Sequence, residues 1–399
     1  MLLNQFSKLP EHENERELRR VRVLLKTRYL HLLGFAGVLL LSSCGGQFFP
    51  PPCKTNCNPG NSGNYIYVGN SSTTASSVAG FTIANSALNN LANSPFATGL
   101  PPNTLVVTPN NSFLYVGSIS GGIYAYTINS NGTITVANGG SPVATGVSPI
   151  TMKVDPSGKW LIAADLSPAV YVFGIDTSTG ALTTQGSPIG LDPGSTTNLY
   201  ITPNGTNVYV SLGTGGVDIL TFNSASGTLT KLNQILNPKG SSNADFGLAS
   251  DPNSKYLFVT ETGINSLRIL TINTTGNTAL TELSTSPVKT GLGPSQVLVT
   301  SDGSYVYVTN RTDGTISGFT LAANGSLTAL SGSPYTTGAA PVDMMEDQSH
   351  GYIAVVCVSG NPDMQVFKID TTTPGKLDAF ASKTTGTDPT LASTIAGTH

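Results

Sequence analysis

Short runs of alternating apolar and polar residues recur along this chain at a nearly constant interval. Runs such as YIYV at 65–68 and LYV at 114–116 return about every 48 residues and fill the chain seven times from Tyr65 onwards. Alternation with a period of two residues predicts β-strands, and no unit carries the 3.6-residue period of an amphipathic helix. Repetition at this interval is typical of propellers and other repeat architectures. The residues that anchor the seven units are Tyr67, Tyr115, Ile162, Tyr209, Phe258, Tyr307 and Ala354.

Each unit repeats the same plan of strands and turns. In the second unit, a strand at 105–108 reaches a Pro-Asn turn, and further strands follow at 113–117 and 123–128. An Asn-Gly pair at 131–132 then leads to a fourth strand. Asn-Gly pairs between alternating strands favour tight hairpins, because both residues tolerate positive φ. Four antiparallel strands per unit predict a propeller blade.

The two ends of the repeat predict how the ring closes. The first unit begins at its second strand, at Tyr65, so its innermost strand is missing. A lone strand-like segment at 391–395 stands where an eighth unit would begin. Pairing of this segment with the first unit would remove an exposed edge. The sequence therefore predicts an all-β fold, a seven-bladed β-propeller closed by its N- and C-terminal strands.

The first part of the chain has a different pattern. Seven basic residues precede an apolar run at 32–41, which fits a secretory signal and is short for a membrane span. The run ends in Leu-Ser-Ser-Cys-Gly, with the cysteine at Cys44, and this resembles a bacterial lipobox. We expect a lipoprotein signal peptide at 1–43, a tether at 44–64 and the propeller at 65–399. An ordinary signal peptide with an incidental cysteine is the alternative.

This interpretation predicts a protein of the bacterial cell envelope, anchored outside the cytoplasm through lipid on Cys44. In an oxidising compartment, Cys53 and Cys57 in the tether would form a local disulfide. Two cysteines without a nearby histidine supply at most half a zinc site, so neither a metal nor another cofactor is expected.

Composition narrows the function classes further. The chain has 44 Gly and 25 Pro, only 10% charged residues and a formal net charge of −3. Cleavage after residue 43 would remove seven basic and four acidic residues, making the mature chain more acidic. Nucleic-acid binding requires a basic face, and this composition excludes one. The expected partners are the membrane, through the anchor alone, and a glycan, a peptide or an envelope protein on the propeller rim.

The repeat, with ends such as Tyr-Val-Thr-Asn at 307–310, resembles the lactonase family of seven-bladed propellers, which includes 6-phosphogluconolactonases. In the enzymes of that family, a Gly-Pro-Arg-His-like motif precedes an innermost strand, and a Glu follows a second strand. The resemblance implies that these side chains meet on one rim. There an acid/base pair would act on an anionic sugar lactone, and an Arg would hold its carboxylate or phosphate.

This chain departs from the family at the positions that carry the chemistry. No blade supplies the family's His or Arg. Asn103, Ile150, Ser295 and Val342 are the clearest equivalents of the Arg. The residues at the His-like position are Thr104, Thr151, Asn198, Gly247, Gln296 and Asp343.

At two positions this chain does match the residues of the family. Glu261 occupies the acid position, and Asp165 resembles an Asp-Leu-Gly segment, so these two are the candidate catalytic residues. The candidate ligand-binding residues are Arg311, Asp343, Gln296 and Asn198.

Most other distinctive residues are interpreted as structural. His350 falls in a hairpin turn on the opposite rim, and Trp160 opens a second strand as a packing residue. Asp155, Asp251 and Asp302 are expected to cap turns.

The leading functional hypothesis is a lipid-anchored binding or interaction module, a catalytically degenerate lactonase homologue. The alternative is a lactone hydrolase of the 6-phosphogluconolactonase type that uses Glu261, with Asp165 or Asp343, without the family His. The third hypothesis is a purely structural repeat module of the cell surface.

Overall fold

A computed structural model describes residues 63–71, 76–239, 245–274, 279–358, 360–385 and 394–399. The expected signal peptide, the lipidated Cys44 and the Cys53–Cys57 disulfide lie outside the described residues. No helix in the described part of the chain is long and apolar enough to cross a membrane.

The strands form seven antiparallel sheets, each with the strand order of one blade. Blade 1 contains β1 (Tyr65–Asn70), β2 (Ser77–Ala84), β3 (Ala87–Asn90) and the short β4 (Phe96–Ala97). Blade 2 contains β5 (Thr104–Val107), β6 (Phe113–Ser118), β7 (Gly122–Ile128) and β8 (Ile134–Val136). Blade 3 contains β9 (Pro149–Val154), β10 (Trp160–Asp165), β11 (Ala169–Ile175), β12 (Leu182–Thr184) and β13 (Ile189–Gly190).

The remaining blades follow the same plan. Blade 4 contains β14 (Asn198–Ile201), β15 (Asn207–Ser211), β16 (Val217–Asn223) and β17 (Thr228–Leu236). Blade 5 contains β18 (Asp245–Ser250), β19 (Tyr256–Glu261), β20 (Ser266–Ile272), β21 (Leu280–Glu282) and β22 (Val288–Lys289). Blade 6 contains β23 (Pro294–Val299), β24 (Tyr305–Asn310), β25 (Thr315–Leu321), β26 (Leu327–Ala329) and β27 (Tyr335–Thr336). Blade 7 contains β28 (Pro341–Glu346), β29 (Tyr352–Cys357), β30 (Met364–Ile369) and β31 (Leu377–Lys383).

The ring closes as the sequence predicts. The last strand, β32 (Thr394–Gly397), pairs antiparallel with β1, so that Tyr67 faces Ala396 and Val68 faces Ile395. Blade 1 therefore receives its innermost strand from the C-terminal part of the chain, which covers an edge that would otherwise be open. The described part of this strand starts at Thr394, and residues 391–393 of the predicted segment lie outside the described residues.

Neighbouring blades are joined by buried tyrosines at the centres of the second strands. Tyr67, Tyr115, Tyr209 and Tyr307 are at most 1% exposed. The hydroxyl groups of three of them cross to the next blade and donate to the carbonyl of a turn glycine. These contacts are Tyr67 to Gly132 (2.8 Å), Tyr115 to Gly180 (3.0 Å) and Tyr307 to Gly375 (2.7 Å). The apolar ring supplies buried area, and the hydroxyl bond fixes the register of adjacent blades.

The turn residues behave as predicted. Asp155 Oδ1 accepts the backbone N–H groups of Lys159 (3.0 Å) and Trp160 (2.8 Å), and Asp251 does the same in blade 5. Trp160 packs against Gly227 of the next blade, where a Cβ atom would lie 2.5 Å from its ring. Its indole N–H donates to the carbonyl of Ser224 at 2.7 Å. These side chains stabilise the blades and the contacts between them.

Cys357 is a buried free cysteine in β29. Burial raises the pKa of its thiol to about 11, so the thiolate is scarce at neutral pH.

Candidate functional site

A cavity of about 500 Å³ opens on one face of the propeller, where innermost strands begin and second strands end. The first residues of the innermost strands form much of its wall, since every blade directs this end of its inner strand to the central axis. The residues of this class that line the cavity are Thr104, Thr151, Asn198, Gln296, Asp343 and Thr394.

The cavity contains most of the positions equivalent to the family's His and Arg. Five of the six His-like positions line it, together with all four Arg-like positions: Asn103, Ile150, Ser295 and Val342. The sixth His-like residue, Gly247, allows a close approach of strands. A Cβ atom there would lie 2.7 Å from the Gln296 Cα and 2.8 Å from the Ser295 carbonyl oxygen. Gly247 therefore contributes no side chain to the wall, and its neighbour Phe246 is the residue of β18 that lines the cavity.

Three of the predicted ligand-binding residues form one hydrogen-bonded chain. Asn198 Nδ2 donates to Gln296 Oε1 at 3.2 Å, and Gln296 Nε2 donates to Asp343 Oδ1 at 3.1 Å. The chain runs from blade 4 past Gly247 to blades 6 and 7. The structure thus brings together residues that lie far apart in sequence.

Asp343 is the acceptor at the end of this chain. Its Oδ1 also accepts the N–H of Met344 (2.9 Å), and its Oδ2 accepts the N–H of Ile395 in β32 (3.1 Å). Loss of solvation raises the pKa of Asp343, while the positive charge of Lys153 and the hydrogen bonds act in the opposite direction. The same carboxyl group therefore belongs both to the cavity and to the closure of the ring.

Arg311, the fourth predicted ligand-binding residue, lies at the mouth of the cavity just after β24. It is exposed, and its backbone N–H donates to the carbonyl of Gly293 at 2.8 Å. An exposed guanidinium in this position can reach an anionic group on a bound molecule.

Glu261 does not lie where the sequence analysis predicts. It was expected to share one site with the other candidate site residues. It is fully buried at the end of β19 and is not among the described residues that line the cavity. Its Oε1 lies 2.6 Å from Arg268 Nη1, and its carboxylate also accepts the N–H of Lys239. Arg268 and Lys239 in turn bind Glu282, at 3.0 and 2.8 Å. The geometry favours a structural carboxylate over an acid or a base.

Asp165 is likewise not among the described residues that line the cavity. It is 6% exposed, and its Oδ1 accepts the N–H of Ser148 at 2.9 Å and of Leu166 at 2.7 Å. These bonds tie the end of β10 to the segment before β9. The expected convergence of Asp165 with Glu261 is therefore not found among the described side chains.

The two histidines in the described part of the chain, His350 and His399, are not among the residues that line the cavity. The His350 Nδ1 is 2.9 Å from the Ser301 hydroxyl and 3.5 Å from Glu346 Oε1, in turns on the opposite face. The backbone of His399 is held by Asn111 and Gln348, also in turns of that face.

Lys153 is a charged cavity residue that the sequence analysis did not identify. It lies two residues after Thr151 on β9, and this period-two relation to a His-like position could have indicated that it faces the axis. Phe246, which precedes Gly247 on β18, also lines the cavity and was not identified from the sequence. In the described part of the chain, no group of three or more His, Cys, Asp or Glu side chains could hold a metal ion.

Solved structures of similar fold come from several bacteria. A Lactobacillus plantarum protein is 21% identical, with 84% of this chain and 100% of that chain covered and a TM-score of 0.68. A protein provisionally named a 6-phosphogluconolactonase, from Bacteroides fragilis, is 17% identical with a TM-score of 0.66, covering 85% and 99%. A periplasmic gluconolactonase from Pseudomonas aeruginosa is 14% identical with a TM-score of 0.66, covering 84% and 99%. At these identities the likeness shows the fold alone.

A sequence search of curated proteins gave no match. The family model described as "Lactonase, 7-bladed beta-propeller" matches residues 65–393, which is nearly the whole ring. With seven blades, terminal-strand closure and a rim cavity at the expected strand ends, this chain belongs to the lactonase family of seven-bladed β-propellers.

Proposed function

We propose that this protein is a lipid-anchored, extracytoplasmic binding module and a catalytically degenerate member of its family. Its central cavity holds a small polar ligand, a glycan or the end of a peptide, without cleaving it. The single observation that supports this most strongly is the ion pair of Glu261 with Arg268. In this pair, Glu261 stands at the family's acid position, where it is buried and its charge is neutralised by Arg268.

The residues that line the cavity are suited to binding a small ligand. Its wall mixes hydroxyl and amide groups with apolar residues such as Phe246 and Val342. Lys153 and Arg311 bring positive charge, and Asp343 brings one carboxyl group. A concave, partly apolar site with a few convergent polar groups is the usual form of a small-ligand site.

A lactone hydrolase is the second candidate, and Asp343 is the residue that favours it. Its pKa is raised by loss of solvation, and a carboxyl group with a raised pKa suits acid–base chemistry. Against this, both its oxygens already accept hydrogen bonds from N–H groups.

A binding experiment tests the first proposal. Purified protein is titrated calorimetrically with a panel of neutral sugars, sugar acids and short peptides. At least one member should bind, and Lys153→Met or Arg311→Ala should weaken that binding. Lys159→Ala, an exposed lysine in a turn of the opposite face, is the matched control and should leave it unchanged. A panel that leaves the cavity empty would contradict the proposal.

A kinetic assay separates the two candidates. Turnover of 6-phosphogluconolactone and of a neutral lactone is compared for the wild type, Glu261→Gln and Asp343→Asn. We expect no turnover above the uncatalysed rate in any of the three proteins. Robust hydrolysis that disappears in Asp343→Asn, with the fold intact, would establish the enzyme instead. Loss in Glu261→Gln alone would restore Glu261 as the catalytic group.

A further inference from the structure

We propose that the amide groups of Asn198 and Gln296 form a donor-only subsite in the cavity, which recognises a carboxylate or another planar oxyanion. The inference rests on the proposed function, because it takes the cavity to be a binding site. It goes further by naming the two residues that select the ligand and the charge type they select.

The orientation of both amides is fixed by their own backbones. The N–H of Leu199 donates to Asn198 Oδ1 at 2.8 Å, and the N–H of Val297 donates to Gln296 Oε1 at 3.1 Å. A flipped amide would place an NH₂ group against a backbone N–H, which is a repulsive contact. Each side-chain oxygen must therefore face its own strand, and each NH₂ group must face away from it.

The two NH₂ groups have hydrogen-bonding capacity left over. Each carries two N–H donors. Across the described residues, Asn198 Nδ2 makes one hydrogen bond, to Gln296, and Gln296 Nε2 makes one, to Asp343. One N–H donor of each amide thus remains for a molecule in the cavity, and both residues line it.

The acceptors near these donors are already occupied. Gln296 Oε1 accepts from both Asn198 and Val297, and the two oxygens of Asp343 accept three N–H groups. A ligand hydroxyl or ammonium group would find less acceptor capacity on this arc, because Asn198 Oδ1 faces its own strand and Asp343 Oδ2 already accepts one N–H group. A ligand oxygen that only accepts would find two donors, which is the asymmetry that gives selectivity.

The charges on the cavity wall also favour an anionic ligand. Lys153 and Arg311 are cationic, and Asp343 is the lone carboxyl group among the described lining residues, so the wall is net positive. Hydrogen bonds from amide N–H groups to an ionised acceptor are stronger than those to a neutral one.

Gly247 makes the subsite possible. Blade 5 lies between the blades of Asn198 and Gln296, and a side chain at Gly247 would strike the Gln296 backbone. Because Gly247 has no side chain, the Asn198 and Gln296 amides meet directly across this position. The subsite thus depends on the lack of a side chain at Gly247, one of the equivalent positions in the seven blades.

The test uses three four-carbon probes that differ only in their end groups. These are succinate, succinamide and putrescine, which present carboxylates, neutral amides and ammonium groups. Calorimetric titration of the full-length protein at one fixed ionic strength should show that succinate binds at least tenfold more tightly than either of the others. Equal or preferred binding of succinamide or putrescine would overturn the inference and leave the proposed function standing.

Two variants assign the selectivity to the amides. Gln296→Met keeps the length of the side chain without its donors, and Asn198→Ala removes the other NH₂ group. Each should weaken succinate binding by roughly tenfold or more, the usual size for one charge-assisted hydrogen bond. Binding of succinamide should change much less. Gln185→Met, at an exposed amide on the outer part of blade 3, is the matched control.

Thermal melting of each variant shows whether it folds, and the ratio of succinate to succinamide binding does not depend on the folded fraction. If neither variant folds, the wild-type preference among the three probes decides. Succinate binding that survives unchanged in both folded variants would overturn the inference, as would its absence in the wild type. The proposed function is contradicted by a different result: no member of the panel of sugars, sugar acids and peptides binds.

Discussion

Glu261 Oε1 lies 2.6 Å from Arg268 Nη1 inside blade 5, with Glu261 fully buried and the Arg268 side chain 6% exposed. The carboxylate at the family's acid position is thus neutralised by an arginine seven residues further along the chain. Arg268 also donates to the carbonyl of Asn237 at 2.8 Å, and Lys239 binds the same carboxylate through its backbone. The pair therefore fastens the segment that follows β17 to blade 5.

The first prediction concerns the stability that this pair contributes. Glu261→Gln removes one charge and leaves Arg268 partly uncompensated in a buried place. We expect the free energy of unfolding to fall by about 3 kcal/mol, the usual cost of breaking a buried pair from one side. Denaturant titration followed by fluorescence measures it. Glu282→Gln, at a more exposed partner of Arg268, should cost less, and equal losses would contradict this view of the network.

The second prediction concerns the pH dependence contributed by Asp343. Its native pKa is raised above the ordinary carboxyl value, so the native state binds this proton more tightly than the unfolded chain does. The resulting stability is present below the unfolded pKa, near 4, and is lost as the pH rises through the native pKa.

Asp343→Asn removes this titration and serves as the reference. Melting temperatures of both proteins are measured across the acidic range up to neutral pH. The wild type should gain stability relative to Asp343→Asn as the pH falls through that window, and their difference should level off once the pH exceeds the native pKa of Asp343. A wild type that loses stability relative to the variant on acidification would show that the pKa is lowered instead.

The third prediction concerns closure of the ring. Truncation after Thr387 removes β32 and strips blade 1 of its innermost strand, which exposes β1 along its length. We expect loss of cooperative thermal unfolding, or aggregation. Removal of the first 43 residues is the control for shortening the chain at a point outside the ring. A truncated protein that melts like the full chain would contradict the role of β32.

The fourth prediction concerns the membrane anchor. If Cys44 carries the lipid, Cys44→Ala should move the protein from the membrane fraction to the soluble extracytoplasmic fraction. Cell fractionation with immunoblotting measures this, and Cys357→Ala, in the buried thiol of β29, is the matched control. A Cys44→Ala protein that stays on membranes after a high-salt wash would refute the lipobox interpretation.

The sequence by itself determined the repeat, the number of blades and the manner of closure. Strand alternation and the interval of about 48 residues recur through all seven units, and Asn-Gly or Asp-containing turns separate the strands in several of them. The same periodicity located the rim positions, because equivalent residues of each unit must open on the same face. The resemblance to the lactonase family then singled out Asn198, Gln296 and Asp343, which stand at the His-like position of its motif.

Only the tertiary structure decided which of those residues act together. Asn198 and Gln296 are 98 positions apart and meet because blade 5 presents Gly247 between them, a relation set by the curvature of the ring. Glu261 matched the family's acid by position alone, and its burial against Arg268 depends on how the two strands of blade 5 face their neighbours. Contacts between blades depend on distances across the ring, and a linear pattern of apolar and polar residues carries no information about those distances.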